Sequence, residues 1–101
     1  MRMLLNVTLP IEPFNAAVRD GSAGAVIHRI LEESKPEVVY FTERDGHRGA
    51  TLVVDVNEPS DVPALCEPWF LNFNATCELR IAMSPADLQK AGLEELGKQW
   101  K

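Results

Sequence analysis

The chain has 101 residues, of which 46% are hydrophobic and 25% charged, and its formal net charge is −5. This length and composition are typical of one globular domain. The net negative charge disfavours adsorption to anionic lipid, and it excludes a general nucleic-acid binder, which needs a basic surface to neutralise phosphates. No apolar run reaches the ~20 residues of a membrane span, and no secretory leader is recognisable. The sequence therefore predicts one cytoplasmic domain, residues 1–101, with neither a nucleic-acid nor a membrane partner.

In the first third of the chain, apolar side chains first recur at every second position and a helical pattern then follows. Apolar side chains at every second position predict a strand from Arg2 to Leu9. A helix follows from Glu12 to Arg19, and Asp20-Gly21-Ser22 interrupts it. The main helix runs from about Ser22 to Ser34 and ends before Pro36, because the residue before a proline is pushed out of the helical region.

The stretch from Glu37 to Val56 reads as a β-hairpin. Two runs rich in β-branched and aromatic residues flank Asp45-Gly46, a pair that favours a type I′ turn. A two-residue loop places Phe41 opposite Ala50. A four-residue loop leaves the same side chains on each face of the ribbon, so both loop lengths remain possible. In either case the alternation fixes which side chains share a face of the ribbon.

The remaining segments complete a β-α-β-β-α-β order. A second helix is predicted from Val62 to Leu71, with Ser60 or Asp61 as its cap, and a last strand from Ala75 to Ala82. Ser84 and the proline after it open a helical tail over 84–101, in which Leu88, Leu96 and Trp100 are the side chains available for burial. This order predicts a ferredoxin-like α+β fold with a core over 1–83 and with the first and third strands in the centre of the sheet.

The strand parity divides the sheet into an apolar face and a mixed face. The apolar face can receive the helices and comprises Met3, Leu5, Val7, Val39, Phe41, Leu52, Val54, Cys77, Leu79 and Ile81. The mixed face comprises Leu4, Asn6, Thr8, Val38, Tyr40, Thr51, Val53, Asp55, Glu78 and Arg80. A half-apolar face of this kind suits a homodimer in which two sheets pack against each other.

Three segments give the chain a family resemblance. They are the hairpin with its Asp45-Gly46 turn, the helix end Glu67-Pro68-Trp69-Phe70 and the strand Glu78-Leu79-Arg80-Ile81. Up to about Ala82 the chain resembles the dimeric α+β barrel superfamily, which includes muconolactone-isomerase-like proteins and small monooxygenases, and within it a family of short bacterial domains of unknown function. The resemblance implies a homodimer around an eight-stranded barrel, and it implies no particular chemistry.

The candidate ligand-binding residues come mainly from the mixed face. Asn6, Tyr40, Asp55, Glu78 and Arg80 all project there and could bind an anionic or hydroxylated ligand. The alternative is structural, since Arg80 can pair with Glu78 or with a carboxylate of a second subunit. Tyr40 can likewise be a packed residue with one satisfied hydrogen bond.

The other candidates lie on helices. Trp69, with Phe70 and Phe73, is either core or the wall of a hydrophobic ligand cavity between helix and sheet. His28 lies about 130° away from the apolar stripe of its helix, so it is a solvated residue or a base at a pocket rim.

No spacing of metal ligands is present. His47 is expected beside the turn and exposed, and Cys66 and Cys77 are expected to be buried small hydrophobic residues. Neither a metal nor a cofactor is therefore predicted.

Two functions fit these observations. One is a small homodimer that binds or transforms a small organic molecule in a pocket between sheet and helices, with catalytic residues that the sequence does not identify. The other is a non-catalytic dimerisation or regulatory module, because no set of nucleophile, base and orienting group stands out.

Overall fold

The computed structural model describes residues 1–101 as four strands, five α-helices and one short 3-10 helix, Pro59–Asp61. The strands β1 to β4 are Arg2–Leu9, Val38–Arg44, His47–Asp55 and Thr76–Ile81. The helices α1 to α5 are Ile11–Asp20, Ala23–Ser34, Val62–Phe73, Pro85–Lys90 and Leu93–Gln99. This confirms the predicted α+β ferredoxin-like architecture. None of the helices is both long and apolar enough to cross a membrane.

The four strands form one antiparallel sheet in the order β2-β3-β1-β4, with the first and third strands central as predicted. The hairpin loop has two residues, since Arg44 pairs with His47 and Phe41 pairs with Ala50. Asp45 and Gly46 have φ angles of 53° and 79°, as a type I′ turn requires. The shorter of the two predicted loops is therefore the one that forms.

The core lies between the central strands and the first three helices. Leu5, Val7, Leu52 and Val54 are buried beneath Trp69 and the other large side chains of the helices. The ring centroids of Phe14 and Phe73 are 5.0 Å apart, so α1 and α3 meet over the sheet. The outer strands are less covered, and Phe41 and Ile81 stay 54% and 64% exposed although they face the helix side.

The helix ends follow the predicted chemistry with one exception. Gly21 ends α1 at φ 83°, and Ser84 caps α4 by accepting the backbone N–H of Asp87. Hydrogen bonds from the Ser84 backbone and hydroxyl lower the pKa of the Asp87 carboxyl. The exception is Asp61, which precedes α3 but caps nothing there, because its carboxylate accepts the backbone N–H groups of Asn57 and Glu58.

The last two helices form an arm that projects from the core. The radius of gyration is 17.0 Å, whereas a compact chain of this length has one of about 13 Å, and the longest dimension is 60 Å. Leu88, Leu93, Leu96 and Trp100 are between 42% and 79% exposed. Leu88, Leu96 and Trp100, the side chains that the sequence offers for burial, are therefore not buried within a single chain.

Candidate functional site

All helices of the core lie on one face of the sheet, and the other face is open. One cross-strand row on the open face contains Tyr40, Thr51, Asn6 and Glu78, contributed by β2, β3, β1 and β4 in turn. The neighbouring row contains Val38, Val53, Leu4 and Arg80. A polar row thus lies directly beside a mostly apolar one, as the predicted mixed face requires.

Asn6 is the centre of the polar row. It is the one polar residue of the chain that is buried, at 8% exposure, although no helix covers it. Its Oδ1 accepts a 2.8 Å hydrogen bond from the Thr51 hydroxyl and a 3.4 Å bond from Nη1 of Arg44. Both bonds fall on the oxygen, which leaves the Asn6 amide nitrogen without an acceptor in the chain and available as a donor.

Arg44 reaches Asn6 because position 49 has no side chain. A Cβ at Gly49 would lie 2.7 Å from Cγ of Arg44 and 2.9 Å from the carbonyl oxygen of Val7. The guanidinium then comes within 3.9 Å of the Glu78 carboxylate. Although Arg44 belongs to the charged residues beside the turn, which on sequence alone are expected to be solvated, its side chain folds back over β3 and is only 29% exposed.

Glu78 is the last residue of the polar row on β4, and Arg80 lies next to it at the end of the neighbouring row. Nη2 of Arg80 donates to Oε2 of Glu78 at 2.8 Å, which is the structural pairing that the sequence offered as an alternative to ligand binding. The Tyr40 ring lies at the opposite edge and is 71% exposed. We call Asn6, Tyr40, Arg44, Thr51, Glu78 and Arg80 the open-face cluster.

Three of the predicted site residues do not join this cluster. Asp55 shares the face but lies at its end, where its carboxylate accepts a 3.0 Å bond from the Met1 amine. His28 is exposed on α2, with its Nε2 3.0 Å from Oε1 of Glu32. Trp69 lies on the other side of the sheet, fully buried in the core.

The predicted pocket between sheet and helices is filled by side chains. Trp69 and Phe73 have their ring centroids 6.3 Å apart and occupy the space beneath α3. The nearest cleft, of about 300 Å³, lies where α2, α3 and Asp55 meet. A larger open cleft of about 670 Å³ lies at the end of the sheet beside the root of the arm. The chain has no group of three His, Cys, Asp or Glu side chains arranged to hold a metal ion.

The open-face cluster places hydrogen-bond donors beside the Glu78 carboxylate. Its donors are the Arg44 guanidinium, the Asn6 amide and the Tyr40 hydroxyl, all of which suit a carboxylate, phenolate or carbonyl oxygen. The sequence missed Arg44, Thr51 and Gly49. The alternation of side chains along the hairpin could have indicated them. It places Arg44 on the same face as Tyr40 and close to Gly49, which has no side chain.

The fit of Arg44 over Gly49 predicts a cost for any side chain there. We expect Gly49→Ala to lower the free energy of unfolding by about 1–3 kcal/mol, because the backbone oxygen of Val7 has no room to move. Gly24→Ala is the matched control, since nothing lies within 4 Å of its Cβ and the helix gains about 0.5–1 kcal/mol. Urea denaturation of both variants measures the difference, and equal effects would contradict the role of Gly49.

The two cysteines lie together between α3 and β4. Both are free thiols; burial raises the pKa of Cys66, and burial together with the neighbouring Cys66 raises the pKa of Cys77 to about 12. We therefore expect neither thiol to react with a disulfide reagent at pH 8 until the protein is unfolded in urea. Rapid labelling of the native protein would contradict this.

The same thiols make the stability depend on pH. The unfolded chain ionises its thiols near pH 9 and the folded chain does not, so the free energy of unfolding should fall as the pH rises from 9 toward 12.

Comparison with known proteins shows the fold. No protein-family model and no curated protein matches the chain. A solved structure of 5-chloro-2-hydroxyhydroquinone dehydrochlorinase from Burkholderia phenoliruptrix AC1100, in complex with 2,5-dihydroxybenzoquinone, has a TM-score of 0.62 and 15% identity over 85% of this chain and 97% of that chain. A formyltetrahydrofolate deformylase from Pseudomonas putida KT2440 has a TM-score of 0.49 and 17% identity, over 81% of this chain and 29% of that chain. The de novo designed protein Ferredog-Diesel has a TM-score of 0.46 and 9% identity, over 80% of this chain and 85% of that chain. The first of these likenesses shows that the chain has the same kind of α+β fold, and at such low identity it shows the fold alone.

Proposed function

We propose that the protein is a homodimer formed through its open sheet face, and that the space between the two sheets binds a small anionic or hydroxylated organic molecule. The observation that carries the proposal is the buried Asn6, whose oxygen accepts hydrogen bonds from Thr51 and Arg44 while its amide nitrogen has no acceptor within the chain. A sheet surface that only contacts water has no need of such an ordered network.

The apolar row supports the face-to-face dimer. Leu4 and Val53 lie side by side on the two central strands and are half-buried, with nothing packed above them. Val38 extends this row to the sheet edge. Burying these side chains against a second copy gains the hydrophobic free energy that a lone chain forgoes.

The polar row supports an acidic ligand. Arg44 lies 3.4 Å from Asn6 and 3.9 Å from Glu78, so neither contact is a short bond and the guanidinium keeps donors for a third partner. The structurally similar dehydrochlorinase was solved with 2,5-dihydroxybenzoquinone. That compound is an acidic dihydroxyquinone, and its paired oxygens suit a guanidinium beside an amide.

Calorimetric titration with 2,5-dihydroxybenzoquinone tests the proposal. Arg44→Met keeps the aliphatic stem and removes the charge, and the loss of a charged hydrogen bond should weaken binding about 10–100-fold. Arg29→Met is the matched control, because Arg29 is exposed on α2 and pairs only with Glu33. No binding by the wild-type protein, or equal weakening in both variants, would refute this ligand class at this site.

A non-catalytic dimerisation module is the second candidate. The pairing of Glu78 with Arg80 at 2.8 Å favours it, because the cluster then neutralises part of its own charge and requires no ligand. In that case sedimentation would show a stable dimer, while the titration would show no heat of binding with any small acid.

A further inference from the structure

The arm of residues 84–101 has an apolar side that its own core does not cover. Leu93 and Leu96 are three residues apart on one face of α5, and Trp100 follows directly after its end at the same helical spacing. Trp100 is 79% exposed and Leu93 is 59% exposed. Exposed apolar surface of this size marks an interaction site, because a soluble chain rarely leaves a tryptophan and several leucines together in water.

We propose that this arm is an exchange segment that packs on a second copy of the chain, in the homodimer proposed above. The shape of the molecule supports exchange, since a chain 60 Å long with a radius of gyration of 17.0 Å holds the arm away from its own helices. The arm follows β4, which is a free edge of the sheet, and therefore starts at the rim of the proposed interface.

The open face is small for an interface. Four strands spaced about 4.8 Å apart, with about seven residues each at 3.3 Å, give a projected face of roughly 450 Å². A stable interface buries about 800 Å² of accessible surface per partner. An arm carrying Leu88, Leu96 and Trp100 can therefore add exposed apolar area to the contact between the sheets.

The receiving surface is the outer side of β2 on the second copy. Only β2 and β4 are sheet edges, and β2 carries Phe41, which faces the helix side and yet is 54% exposed. Phe41 is the exposed apolar side chain of this edge, and its half-buried neighbour Val39 joins it to the core of the same subunit. The arm's leucines and Trp100 match this edge in chemistry.

Trp100 provides the test. In the Trp69→Phe variant Trp100 is the single tryptophan, and its quenching by acrylamide should fall several-fold as the protein concentration rises through the dimer dissociation constant. Sedimentation velocity on the otherwise wild-type chain gives the second readout. Leu96→Asp and Phe41→Asp should each raise the dissociation constant at least about tenfold, whereas Val18→Asp, on an exposed residue of α1, should not.

These measurements distinguish a failure of the arm exchange from a failure of the proposed dimer. A dimer whose Trp100 is quenched freely at every concentration would overturn the exchange and leave the sheet-face dimer intact. Protection of Trp100 that is independent of concentration would mean that the arm packs on its own subunit, and it would also overturn the exchange. A chain that stays monomeric throughout would overturn both the exchange and the dimer. A Phe41→Asp variant that dimerises like Val18→Asp would overturn the assignment of the receiving surface.

Discussion

Replacing Trp69 with alanine is expected to lower the free energy of unfolding by about 3–5 kcal/mol. Trp69 is fully buried, and its ring packs on Phe73 at 6.3 Å in the layer that covers the central strands. Small domains have a total stability of about 5–15 kcal/mol, so this variant should unfold at a much lower urea concentration. Circular dichroism followed through a urea titration measures the shift.

Trp69→Phe should lower the free energy of unfolding by far less than the loss of buried ring area suggests. The indole nitrogen Nε1 is buried without any hydrogen-bond partner, a state that itself costs about 1–3 kcal/mol. Removing that nitrogen offsets part of the lost packing. We expect a net loss within about 1.5 kcal/mol. Leu71→Ala is the control on the same helix, because Leu71 is 79% exposed and its loss should change stability by no more than about 0.5 kcal/mol. A Trp69→Phe variant as unstable as Trp69→Ala would show that the buried Nε1 without a hydrogen-bond partner does not destabilise the wild-type protein.

The sheet was predictable from local rules. A period of two over Arg2–Leu9 and the Asp45-Gly46 turn determine β1 and the hairpin, and parity alone then places Asn6, Tyr40 and Glu78 on one face. That these three residues share one row depends on the register of β1 against β3 and β4, which the order of the elements does not determine. With Arg80, which has the same parity as Glu78, the sequence therefore predicted the face that carries the cluster and four of its members.

The rest depends on contacts that no local pattern encodes. Arg44 belongs to a run of charges beside the turn, and only the missing side chain at Gly49 directs it to Asn6 instead of to solvent. The burial of Trp69 closes the pocket predicted between sheet and helices, because a large apolar helix residue fills a core as readily as it lines a cavity. The arm shows a similar limit, since helical periodicity indicates that one side of α5 is apolar but does not indicate what covers it.

Replacing Val53 with glutamate is expected to abolish the proposed dimer while the subunit stays folded. Val53 lies on central strand β3, pairs with Leu4 and Val38, and faces away from the helices, so a carboxylate there meets only water in the monomer. In a face-to-face dimer the same carboxylate would be buried without a partner, at a cost of about 3–5 kcal/mol. That cost corresponds to a rise of at least about 100-fold in the dissociation constant. Sedimentation velocity over a concentration series measures it.

Two further variants isolate the effect of charge on this face. Val53→Thr keeps the shape without the charge and should retain most of the dimer, and Val18→Glu adds the same charge on α1, where the side chain is already 51% exposed. Circular dichroism should show native folding in all three variants. A Val53→Glu protein that sediments as the wild type does would mean that the open face is not the interface. The open-face cluster would then be a solvent-facing network, and binding of an acidic ligand would have to be explained within one subunit.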